Sequence, residues 1–138
     1  MHPQRFTAFV VFAFTLYVAP VNAQSTNTVG SWRGTSLCVD KKHFPACKDE
    51  KVIYDVQSKN GARDTVTLRA DKVVNGVREF MGEFDFILAK DSSWIAEFRN
   101  QRIHICIVLR IAGTRMSGTL TDLPSGRTVR KIELTRLR

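Results

Sequence analysis

"KVIYDVQSKNGARDTVTLRADKVVNGVREFMGEFDFIL", residues 51–88, carries two Asn-Gly pairs inside a run that otherwise alternates apolar and polar side chains. Asn-Gly accommodates the two positive φ angles of a type I′ turn, which reverses the chain between antiparallel neighbours. Asn60-Gly61 therefore divides "KVIYDVQ" from "DTVTLRA", and Asn75-Gly76 divides "LRADKVV" from "VREFMGEFDFIL". The period of two excludes an amphipathic helix here and predicts successive hairpins.

The same pattern extends in both directions. Asp91-Ser92-Ser93, Asn100-Gln101, Ala112-Gly113-Thr114 and Leu123-Pro124-Ser125-Gly126 supply further turn chemistry. Strands are expected near residues 29–38, 50–57, 64–73, 77–88, 93–98, 102–111, 115–121 and 128–137. Short connections make consecutive strands antiparallel and adjacent, and closing the eight-stranded meander removes both exposed edges. The prediction is an all-β, up-and-down antiparallel barrel of about eight strands. Its faces are specified by alternation: Ile103, Ile105, Ile107, Leu109 and Ile111 oppose Arg102, His104, Cys106, Val108 and Arg110, while Phe80, Phe84, Phe86 and Leu88 oppose Glu79, Glu83 and Asp85. Phe80, Phe84, Phe86, Ile105 and Ile107 are the expected interior lining.

Residues 1–23 have the layout of a secretory signal, with Arg5, an apolar run from Phe6 to Val18, and Val21-Asn22-Ala23 before Gln24. Residues 24–138 then form one domain, expected in the periplasm or outside the cell without a transmembrane anchor. Export favours disulfides, and Cys38 and Cys47 are the local pair. A Cys38–Cys106 bridge stays open, as does a metal site built from Cys38, Asp40, His43 and Cys47, although pairing the thiols would remove two of its ligands. We expect the disulfide, with no metal and no cofactor.

Nine basic residues lie between Arg99 and Arg138 against Asp122 and Glu133 alone, whereas residues 24–98 balance to zero. Arg102, Arg110, Arg115, Arg127, Arg130 and Lys131 are the candidate basic patch for an anionic envelope polymer or lipid head groups. That third holds no Phe, Tyr or Trp on which bases could stack, which argues against nucleic acid.

Gly30-x-Trp32 on the first strand, with Arg136 near the end of the last, resembles the calycin superfamily of lipocalin-like barrels. The resemblance implies that Arg136 stacks on Trp32 at the barrel's foot, and that the interior holds a small apolar or amphipathic ligand. There is no G-x-S-x-G, H-E-x-x-H, phosphate loop or C-x-x-C, so a binding protein rather than an enzyme is expected. The alternative reading is a solid barrel acting as a surface-recognition or inhibitor module through its basic C-terminal third.

Overall fold

The structure, a computed structural model, describes residues 27–138; the expected signal segment at 1–23 lies outside the described residues. Eight strands follow one another: β1 (Gly30–Cys38), β2 (Glu50–Ser58), β3 (Thr65–Val74), β4 (Val77–Leu88), β5 (Trp94–Arg99), β6 (His104–Ala112), β7 (Arg115–Asp122) and β8 (Arg127–Arg136). Each pairs antiparallel with the next, and β8 returns to β1, so the sheet is a closed barrel in sequence order. The expected fold class is therefore borne out. Turns β1–β2, β3–β4, β5–β6 and β7–β8 lie at one end, here called the mouth; the other turns and the segment entering β1 lie at the foot.

Asn75 and Gly76 have φ of 51° and 77°, as a two-residue type I′ turn requires. At the other Asn-Gly pair only Gly61 has positive φ, and Ala62 N–H donates to Lys59 O at 3.1 Å. The β2–β3 connection is thus a longer loop rather than a two-residue turn.

The lower interior is solid. Trp32, Phe86, Trp94, Leu109, Met116 and Leu134 are all buried there and belong to one apolar cluster. Trp32 pairs with Arg136 across β1–β8, and the Arg136 guanidinium carbon lies 4.4 Å from the indole centroid. Trp32 Nε1–H donates to Thr28 O at 2.9 Å, while Arg136 Nη1–H donates to Val29 O at 2.7 Å and Nη2–H to Asn27 O. The indole and the guanidinium together fasten the incoming chain across the foot, satisfying carbonyls that strand pairing leaves open. Gly30, at φ 131°, is required by this arrangement: a Cβ there would lie 2.8 Å from Arg136 Nη1.

Two irregularities redirect side chains. On β4 the register shifts between the Ala70–Gly82 and Asp71–Phe80 pairs, leaving Met81 as the extra residue. Phe84 and Phe86 keep their inward positions, but Phe80 emerges on the outer wall at 61% exposure, under the Arg69 guanidinium at 5.0 Å. The expectation that Phe80 lines the interior is therefore corrected, because alternation does not survive a bulge. The same shift accompanies burial of Asp71, which accepts from Arg69 Nε at 3.1 Å and Arg78 Nε at 2.8 Å. Arg78 also bonds Asp55, which accepts from Ser31 Oγ at 2.6 Å. This ionic lattice flanks Ile53, which is buried although it faces outward.

The β4–β5 seam differs from the others. Only Ile87–Ile95 and Leu88–Trp94 are paired, both near the foot. Farther up, side chains bridge the two strands instead, with the Phe84 and Phe98 rings edge to face at 5.8 Å.

The turn that joins them is held by Asp91. Its carboxylate accepts from Ser93 N–H at 3.2 Å and Ser93 Oγ–H at 2.6 Å, and from Arg110 Nη2 at 2.9 Å. The Ser93 hydroxyl, followed by Arg110, lowers the Asp91 pKa from 3.8 to about 2. A carboxyl depressed in the folded state contributes its full stabilisation above 3.8 and loses it as pH falls toward about 2. Thermal melts across that interval are expected to show an acid limb that flattens in Asp91→Asn. Wild type and variant should differ above the interval and converge below it; parallel limbs would remove Asp91 from the acid response.

Candidate functional site

The upper interior is not filled. A depression of about 220 Å³ opens at the mouth, walled by Tyr54, Ala70, Met81, Phe84, Ile105, Ile107, Leu120 and Ile132. An apolar cavity of about 150 Å³ admits benzene, so this space suits a small apolar group or a short chain. Two larger depressions, each about 510 Å³, lie on the outer wall, one over Ser31, Asp55 and Arg69, the other over Gly34 and Val73. They are furrows between outward-facing side chains, whereas the mouth depression is walled by the barrel's own interior. The mouth depression is therefore the candidate site.

Its polar element is compact. Arg130 projects inward from β8 on the face of Ile132 and Leu134, and its Nη1 donates to Ser36 O and Ser36 Oγ, both at 3.2 Å. Glu50 Oε2 lies 3.4 Å from the same nitrogen, and the two charged side chains are only 17% and 22% exposed. All these contacts run through Nη1, which leaves the rest of the guanidinium fork for an acceptor at the opening. Nearby, burial pushes the Tyr54 phenol up to about 12, keeping it protonated at any ordinary pH. The site thus combines a cation at its rim with a greasy floor.

Of the expected lining residues, Phe84, Ile105 and Ile107 border this space, while Phe86 lies deeper in the packed core. Gly30, Trp32 and Arg136 meet at the opposite end, away from it.

The structure does not gather the basic candidates into one patch. Arg102 and Arg127 are at the mouth end and Arg115 is at the foot. Arg110 is held by Asp91, Lys131 lies 3.7 Å from Glu133, and Arg127 lies 3.6 Å from Asp40. Arg130 is corrected from a surface position to an interior one. The alternation already contained the signal, since Arg130 shares parity with Ile132 and Leu134.

Cys38 and Cys47 form the expected disulfide, closing the β1–β2 loop. On the chain-entropy account this stabilises the fold by roughly 2–3 kcal/mol. Asp49 reinforces the closure by accepting from Cys38 N–H at 2.8 Å. Both thiols are thereby consumed, and Asp40 bonds His43 Nδ1 at 2.8 Å, so the loop holds a carboxylate–imidazole pair rather than a ligand set. Cys106 is free and half-buried, and burial together with Glu97 opposite raises its pKa.

Comparison of the sequence with family models and with curated proteins finds no match. Among the described residues no helix is long and apolar enough to cross a membrane.

Proposed function

We propose that this protein is an exported, lipocalin-like carrier that holds a small amphipathic molecule in the mouth of its barrel, apolar part down and anionic head at Arg130. The observation that carries the reading is the pairing of the inward Arg130 guanidinium with an apolar space of about 220 Å³ at the mouth. An alkyl tail would lie among Met81, Phe84, Ile105 and Leu120. A carboxylate at the rim would accept from the free side of Arg130, in partial competition with Glu50. The resemblance carried by Gly30, Trp32 and Arg136 supports a calycin-type barrel, and the Cys38–Cys47 disulfide supports an oxidising compartment.

Calorimetric titration with octanoate and decanoate tests this. Arg130→Gln is expected to weaken either ligand by roughly tenfold to a hundredfold, the value of a charge-assisted hydrogen bond, and to leave alkanols of the same length unaffected. Glu50→Gln, which removes the competing carboxylate, should tighten binding. No heat with any chain length, or equal affinity for wild type and Arg130→Gln, would defeat the proposal.

A further inference from the structure

The apolar side chains that stand in solvent are concentrated at one end. Of the eleven large ones among the described residues, nine lie toward the mouth; Ile87 and Leu137 are the exceptions. Each mouth connection raises at least one. Val39 follows β1 at 52% exposure and Val77 begins β4 at 63%. Ile103 stands in the β5–β6 loop at 44%, and Leu123 in the β7–β8 loop at 37%. Nothing in barrel closure calls for exposed apolar side chains beside all four mouth connections.

Cations accompany them. Lys42 and Lys48 in the β1–β2 loop, Arg99 at the end of β5 and Arg102 in the next loop are exposed and have no carboxylate partner among the described residues. Most acidic groups of this end face a cation of their own: Asp40 faces Arg127, Asp49 Lys41, Glu50 Arg130 and Glu79 Lys72. Asp122 accepts only from Ser125 and Glu97 pairs with His104, so these two carboxylates stand against Lys42, Lys48, Arg99 and Arg102, and the balance of the mouth end is positive.

We propose that the mouth end is a docking face for an anionic lipid bilayer. The apolar side chains beside the four connections reach the boundary between head groups and acyl chains, and Lys42, Lys48, Arg99 and Arg102 meet the lipid phosphates. A second copy of the chain fits less well, because two mouths brought together would oppose the same unpaired cations. A bilayer covers these apolar side chains and neutralises the charge at once. The inference stands on this surface rather than on the pocket, although docking would place the pocket's opening against lipid.

The test is flotation of the disulfide-intact protein with phosphatidylcholine vesicles, alone or with a large fraction of phosphatidylglycerol. Wild type is expected to float with the anionic vesicles, much less with the neutral ones, and progressively less as salt is raised. Val39→Glu with Ile103→Glu should weaken partitioning by about tenfold per side chain. Lys42→Gln, Lys48→Gln and Arg102→Gln should each cost about fivefold. Ile87→Glu, which changes an equally exposed apolar residue near the foot, should float as wild type does. If the Glu pair fails to fold, Val39→Ser with Ile103→Ser serves in its place and should also weaken flotation. The proposal is overturned if wild type does not float with anionic vesicles, or if Ile87→Glu is as damaging as the mouth pair. It is also overturned if the mouth substitutions leave flotation intact and instead abolish a dimer seen by sedimentation. Octanoate titration in vesicle-free buffer reads the pocket separately, so either proposal can fail while the other stands.

Discussion

Trp32→Ala is expected to remove about 4 kcal/mol of stability, a large share of the roughly 5–15 kcal/mol that holds an ordinary domain folded. The indole is fully buried at the foot, so truncation leaves a cavity the size of two rings beneath Phe86, Trp94 and Met116. It also removes the N–H that donates to Thr28 O at 2.9 Å and leaves the Arg136 guanidinium without the ring 4.4 Å away. These losses overlap and will not add, because Arg136 and Trp32 secure the same segment. Urea unfolding followed by far-UV circular dichroism measures the effect. Trp32→Phe separates its parts: most of the packing survives, the N–H does not, and a loss of about 1–2 kcal/mol should remain. A Trp32→Ala protein within about 1 kcal/mol of wild type would mean that the foot is not closed as described.

Gly34→Ala should be nearly as damaging, through closure rather than cavity. A Cβ at Gly34 would lie 2.0 Å from Glu133 O and 2.8 Å from Leu134 Cα, both backbone atoms of the neighbouring strand. No rotamer change relieves that contact. The β1–β8 ladder, which runs from Trp32–Arg136 to Cys38–Arg130, has to part near its middle. We expect a loss above about 3 kcal/mol and faster amide exchange along β1. Gly82→Ala is the comparison, since its Cβ would meet only the end of the Phe84 ring at 2.9 Å, a side chain that can move. A similar cost for both would show that backbone approach at Gly34 is not what holds the seam together.

Strand positions were legible in the sequence because alternation and turn chemistry are local. β4 begins and ends where the pattern "VREFMGEFDFIL" places it, and the other strands agree within about two residues. Closure was legible as the way a meander of this length avoids edges. Phe80 was not, because the bulge at Met81 arises from pairing with β3; Gly82 in "EFMGE" is the residue type that accompanies bulges, but a strand glycine equally marks a close backbone approach. Asp71 was missed for a related reason: a charge next to Ala70 reads as solvent-facing until Arg69 and Arg78 are seen to enclose it. Arg130 could have been placed inside, since its parity matches Ile132, but its charge was weighted above its position. The mouth depression itself had no sequence signature. Whether interior side chains meet or leave a gap depends on how they pack across the barrel, and alternation gives only their direction.

With just two residue pairs joining β4 to β5, the barrel's weakest seam lies across from the seven-pair β1–β8 ladder. Such a molecule need not denature to exchange: above Phe86 the β4 amides that face β5 have no ladder partner there, and we expect them to trade hydrogens with water at a cost well below that of losing the fold.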